Sequence, residues 1–341
     1  MSGLLCKTHA YKREQCSRIA ITGHLVARGP ENMKEQEMSE HVIVGAGAVG
    51  SAAALLLAQR GEHVRIVTRR GSGPEHPAIE RVAADATDAE RLTELATGAV
   101  ALYNCASPLY HQWFTDWPPL ARAFLAAAER SDAVLASMSN LYGYGPVDGP
   151  ITHKAPLAAT DPKLRMRAEM WNNQLAAQEA GRIRTTEVRA SDYIEANSIL
   201  STVIGKPLLA GKRAYAPSPL DVPHSWTSIH DCARTLVTAA ADELAYGQAW
   251  LVPTNPPLTV RQLAARFAEV NGAPRAKVTQ IPYPVMWVSG LFSPLIKELR
   301  TTRYQFTRPF VLDASATTDM FGLQPIAMDE ALRDAAARLR A

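Results

Sequence analysis

The run His41-Val42-Ile43-Val44 leads straight into Gly45-Ala46-Gly47-Ala48-Val49-Gly50, and an alanine-rich helical pattern, Ser51 to Arg60, follows at once. A strand, GxGxxG and a helix in direct succession leave few folds open, because each glycine has its own reason to be there. Gly45 permits the tight turn, Gly47 lets a pyrophosphate approach the backbone, and Gly50 lets the helix pack closely on the strand. The free N–H groups at the helix start then face the phosphates. The expected cofactor contacts in this turn are therefore Gly45, Gly47, Ala48, Val49 and Gly50.

The second strand, His63 to Thr68, should end beside the adenosine ribose. An Asp or Glu at that tip would hold the ribose hydroxyls and select NAD. Arg69-Arg70 stands there instead, with Gly71 beyond. Two guanidinium groups suit a 2′-phosphate through charge and bidentate hydrogen bonding, which favours NADP(H) over NAD(H) as the cofactor.

Strands and helices go on alternating through Arg81–Asp85, Ala89–Leu95, Val100–Asn104, a helix from about Trp117 to Arg130, Ala133–Ser137 and Thr185–Arg189. This pattern predicts an α/β fold with a doubly wound parallel sheet. After about residue 205 prolines break the regularity. The expected domain plan is a dinucleotide-binding domain over 41–205 with a returning segment near 225–255. A smaller substrate lobe over 206–224 and 256–341 covers the carboxyl ends of the strands. Residues 1–40 mix short apolar pieces with charges of both signs and lack a signal-peptide core, so they read as a disordered extension or upstream segment.

These residues resemble the extended, here atypical, short-chain dehydrogenase/reductase superfamily of the NAD-dependent epimerase/dehydratase type, over roughly residues 41 to 335. The resemblance is carried by Val44 to Gly50, Ala84-Asp85-Ala86-Thr87-Asp88, Asn104-Cys105-Ala106-Ser107, Ser139-Asn140-Leu141-Tyr142-Gly143, Arg189 to Tyr193 and Trp226 to Asp231. It implies a Rossmann-type domain with a C-terminal substrate-binding lobe. It also implies that Asp85 and Ala86 lie by the adenine, and that Cys105, Ala106 and Ser107 line the ribose and pyrophosphate. Extended members usually carry GxxGxxG. Ala48 stands at the second glycine here, as in atypical members.

The family's chemistry normally runs on Tyr-x-x-x-Lys, where the lysine one turn away lowers the phenol pKa and the tyrosine acts as acid or base. None of the ten tyrosines in this chain has a lysine four residues later. At the expected helix, Lys163 takes the tyrosine's place and Arg167 the lysine's. The candidate catalytic groups are therefore Tyr142, Tyr144 and Tyr193, each just past a strand end, with Lys163, Arg165 or Arg167 as the positive charge. Asn140, His224 and Trp226 are candidate substrate contacts. The leading expectation is an NADP(H)-dependent oxidoreductase acting on a small carbonyl or alcohol. The alternative binds the nicotinamide cofactor without redox turnover, as a sensor or as the scaffold of an epimerase, dehydratase or cyclase step.

Other classes drop out. Thirty-six basic against thirty-three acidic residues leave a net charge of +3, which makes no case for nucleic acid or for an anionic membrane. No apolar run approaches the roughly 20 residues of a membrane span. The four scattered cysteines form no CxxC pair, so neither a metal knuckle nor a disulfide framework is expected, and a cytoplasmic monomer or homodimer is. Cys105 has no evident histidine partner, and Asp231 reads as satisfying the N-terminus of a helix from Cys232 to Ala241.

Overall fold

A computed structural model describes residues 39–298 and 300–341; the reading of residues 1–38 lies outside the described residues. The strands are β1 (Glu40–Val44), β2 (His63–Thr68), β3 (Ile79–Ala83), β4 (Ala101–Asn104), β5 (Val134–Asn140), β6 (Thr185–Ala190), β7 (Asp192–Tyr193), β8 (Arg213–Ala216), β9 (Trp226–Thr227), β10 (Ala249–Leu251) and β11 (Lys277–Gln280). The helices are α1 (Ala48–Gln59), α2 (Ala89–Ala96), α3 (Trp113–Ser131), α4 (Pro162–Glu179), α5 (Gly205–Leu209), α6 (Ile229–Ala241), α7 (Val260–Val270), α8 (Tyr283–Ser289), α9 (Pro294–Glu298), α10 (Tyr304–Thr307), α11 (Ser315–Phe321) and α12 (Met328–Arg340).

Seven strands form one parallel sheet in the order β10-β6-β5-β4-β1-β2-β3. The strand order reverses at β1 and β4, the place where such sheets open a crevice at their carboxyl ends. Both faces are covered, which is why the strands read as continuous apolar runs rather than alternating ones. Ile43, Val64 and Ile66 pack against α1 and α6 on one face. Val42, Val44 and Val67 pack against α2 and α3 on the other. A separate core gathers Ile194, Leu200, Trp226, Leu263, Phe267 and Leu332 into the second lobe. There β8 pairs with β11 and β7 with β9.

Two elements depart from the sequence expectation. Helix α3 begins at Trp113, before Pro118 and Pro119, rather than at about Trp117. Burial of Trp113 against Tyr110 and Tyr142, and of Trp117 against Trp113, offsets the amide donors that the prolines lack. Helix α6 begins at Ile229, and its cap is Ser228, whose hydroxyl accepts the His230 amide. Asp231 lies inside the first turn, where its carboxylate accepts the Ile326 amide at 3.1 Å and the Arg234 guanidinium at 2.6 Å. It ties α6 to the segment before α12.

Removing that carboxylate leaves the half-buried Ile326 N–H and the Arg234 guanidinium without their acceptor, so Asp231→Ala should cost about 1–3 kcal/mol in urea unfolding. Burial raises the Asp231 carboxyl above its usual value. The stability it contributes is thus complete below the ordinary carboxyl range and is lost as pH rises through the raised value. Asp231→Asn, which keeps one acceptor, should flatten that slope. An unchanged slope would show that another group sets it.

Candidate functional site

The glycine turn is shaped by close backbone approach. Gly45 adopts φ +104°, and a Cβ there would lie 2.5 Å from the Cys105 carbonyl oxygen. A Cβ on Gly50 would lie 1.9 Å from the Gly45 carbonyl oxygen. A Cβ on Gly47 would meet nothing within 4 Å, so this side of the turn is open. Gly47 also caps α1, with no side chain accepting its first N–H groups and no acid in its first turn. Free donors and an open side are what an anionic diphosphate requires. Burial pushes the Cys105 thiol up to about 12, which keeps it protonated and makes it a wall of the turn rather than a nucleophile. The Asn104 side chain accepts the Ala106 amide and shapes the loop toward Ser107.

At the other end, Arg69 and Arg70 follow β2 and are exposed. The Asp85 carboxylate accepts the Thr87 amide at 3.0 Å and its hydroxyl at 2.9 Å. These bonds hold its pKa below the usual value, and Arg69 lowers it further. Arg69 thus lies within electrostatic reach of Asp85, and Ala86 is half-buried beside it.

Past β5 and β6 the side chains form a polar, aromatic cluster. Arg167 on α4 donates to the Ser139 hydroxyl at 2.9 Å and lies 4.5 Å over the Trp117 ring. Its Nε is buried without a protein partner, as is the Tyr304 hydroxyl. One turn earlier, Lys163 donates to the Tyr110 carbonyl at 2.9 Å and pairs with Glu298 of α9. Asn140 accepts the Tyr142 amide, which sets the turn carrying that phenol beside Tyr110 and Trp113. Asp192, in β7, accepts from His224 Nε2 at 2.8 Å. His224 Nδ1 lies 3.2 Å from the Gln305 carbonyl, and the ring stacks on Phe306 at 4.6 Å. Both ring nitrogens therefore face oxygen atoms, which fixes the orientation of the ring.

Burial pushes the Tyr142 phenol well up, with Tyr110 and Asp192 adding to it. Burial does the same to Tyr193, and the nearby Arg167 only partly offsets it. Both therefore remain neutral hydroxyls that can donate a hydrogen bond but make poor bases. Tyr144 is buried and accepts from Arg189 at 2.6 Å, behind an Arg189–Glu187 ion pair. Trp226 is buried in the second core and donates to the Leu258 carbonyl. Lys163 is committed to Glu298 and Tyr110. Tyr142 and Tyr193 thus share a region with Arg167 and Asp192, whereas Tyr144 and Trp226 serve packing.

Several solved enzymes share this arrangement of elements. The UDP-glucose 4-epimerase of Thermotoga maritima, solved with UDP-glucose, matches with a TM-score of 0.71 at 15% identity, over 88% of this chain and 98% of that one. The dTDP-glucose 4,6-dehydratase of Bacillus anthracis, in complex with NAD, matches at 0.70 and 14%, over 89% and 96%. The enzyme WbmH of Bordetella bronchiseptica, in complex with NAD+, matches at 0.69 and 16%, over 89% and 98%. This chain has the epimerase/dehydratase fold. No family model matches the sequence, and no curated relative does.

Within that fold, the sequence points to His224 as a candidate contact but gives no sign that it meets Asp192. The two residues are 32 positions apart and no local spacing signals their contact. Glu298 and Tyr110 carried no signal either, since only tertiary packing brings both onto Lys163. The glycine geometry can be checked by substitution. Gly50→Ala should lower the melting temperature and abolish dinucleotide binding in calorimetry, because Cβ would meet backbone. Gly47→Ala should keep the parental melting temperature and weaken only binding.

Proposed function

We propose that this chain is an NADP(H)-dependent oxidoreductase acting on a small carbonyl or alcohol substrate. The supporting observation is the conjunction of an open glycine turn at a helix N-terminus with a partly exposed carboxylate at the adjoining strand ends. The cofactor would supply or accept a hydride. Gly45, Gly47 and the α1 donors would hold its diphosphate, and Cys105, Ala106 and Ser107 would lie along it. Arg69 and Arg70 would meet a 2′-phosphate, where charge-assisted hydrogen bonds are strongest. The solved relatives above hold NAD; the preference for NADP(H) here rests on those two arginines in place of an acid.

Proton transfer needs a group that can exist as a base, and the neutral phenols of Tyr142 and Tyr193 do not fit that role. Asp192 does. Its Oδ2 is held by His224, and its side chain is about a quarter exposed. In the oxidation direction Asp192 takes the hydroxyl proton as hydride leaves the carbon, and the His224 ring stabilises the carboxylate before transfer. In reduction the protonated Asp192 returns it. Tyr142 and Arg167 supply hydrogen-bond donors toward developing charge on the substrate oxygen. The carboxylate–imidazole pair does the work that Tyr-x-x-x-Lys does in the family. Lys163, tied to Glu298, closes the place where that tyrosine would stand, which is the one observation favouring a cofactor sensor without turnover.

Two measurements test the reading. Arg69→Ala with Arg70→Ala should weaken NADPH by about 10- to 100-fold in calorimetry, as expected for lost hydrogen bonds to a charged group, and leave NADH nearly unchanged. Equal loss of both cofactors would remove the case for NADP(H). In a substrate screen read at the nicotinamide absorbance, Asp192→Asn should lower kcat by roughly 10²–10⁴-fold at unchanged NADPH affinity. An unaffected rate would exclude Asp192 as the base. Tight cofactor binding with no turnover across the screen would favour the sensor.

A further inference from the structure

Ile281 to Ile296 is a run of sixteen residues without a charge. It forms α8 and the start of α9, and none of the α8 residues is buried. A seven-residue helix carrying Tyr283, Val285, Trp287 and Val288 gains nothing from folding with those side chains in water. Leu291 and Phe292, on the turn that follows, are 60% and 85% exposed. Helix α9 packs on the turn Tyr110–Gln112. That contact brings the exposed Leu109 and Phe114 to the same side, and most of the exposed large apolar side chains among the described residues fall in these two segments. Scattered exposed apolar residues are ordinary, but a continuous apolar face marks an interaction surface.

Charge decides what covers it. Lys297, Arg300 and Arg303 lie along the face. Arg303 sits 4.1 Å over the Tyr283 ring and Arg300 5.0 Å over the Trp287 ring. The one acid in the stretch, Glu298, is turned inward onto Lys163. Apolar and aromatic side chains level with basic ones match the boundary between acyl chains and anionic headgroups. No helix among the described residues is long and apolar enough to cross a membrane, so the face would lie in the interfacial plane. The +3 of the whole chain gave no hint of this, because the basic excess is local.

We propose that the α8–α9 face docks the protein on the surface of an anionic phospholipid bilayer. Through Glu298 and Lys163 that face is joined to the polar cluster at the strand ends, so docking would set the mouth of the cleft against lipid.

The test is co-sedimentation of the full chain with sucrose-loaded vesicles of phosphatidylcholine alone or with 40% phosphatidylglycerol. The expected result is pelleting with the anionic vesicles, weakened by 0.5 M salt. Leu291→Asp with Phe292→Asp should reduce it at least tenfold without changing the melting temperature, since both side chains are exposed. Lys297→Glu should weaken binding to anionic vesicles only. Brominated lipid should quench parental tryptophan fluorescence more than that of Trp287→Phe. Absence of pelleting, or pelleting that the double variant leaves intact, overturns the proposal. A double variant that changes the sedimentation coefficient from dimer to monomer, with no vesicle binding by either form, would assign the face to a second copy of the chain and also overturns it.

Discussion

The structure depends on how closely the backbone of the first turn can approach its neighbours. At the strand order's reversal, Gly50 abuts the Gly45 carbonyl and Gly45 abuts the carbonyl of Cys105. One methyl group at either position would separate α1 from β1 and β4. Because that contact holds, the N-terminus of α1 points its free donors across an open crevice, and the strands on either side deliver their loops to the same edge. The cleft follows from a packing requirement, and the free donors at its edge follow from the cleft.

The opposite end of the crevice is held together by buried charge. Arg189–Glu187 with Tyr144, Arg167 with Ser139, Lys163 with Glu298, and His224 with Asp192 are four polar groupings in or beside the strand ends. Desolvating such groups offsets much of their attraction, so they do little for net stability; removing one partner, however, strands the other. Their effect is geometric. They fix Asp192, Tyr142 and Arg167 relative to one another on rigid elements. The same burial keeps the Tyr142 and Tyr193 phenols neutral.

The second lobe meets the sheet through a small apolar cluster, in which Leu141, Tyr144 and Leu251 pack with Phe310 and Leu312, and through long-range polar contacts. His224 reaches Asp192 from one side while Gln305 and Phe306 close on it from the other. Asp231 fastens the segment before α12 onto α6. These contacts hold residues between 192 and 326 to a sheet that begins at residue 40, and they leave α8 unburied on the outside.

What the sequence determined by itself was the part of the molecule governed by local rules. The strand–glycine–helix order, the parallel sheet read from apolar runs buried on both faces, and the pair of arginines where an acid would select NAD all depend on neighbours in the chain. The absence of a Tyr-x-x-x-Lys pair was also legible, because it is a statement about spacing on one helix. Tertiary structure decided what stands in its place. Helix α3 starts at Trp113, whose buried ring packs on Tyr110 and on the distant Tyr142. Tyr144 turns to Arg189, Lys163 is taken by Glu298, and Asp192 meets His224 because loops of both lobes converge at the strand ends. Sequence separation carries no information about such contacts; the free energy of burying and pairing them is realised only when the sheet and the second lobe are both in place.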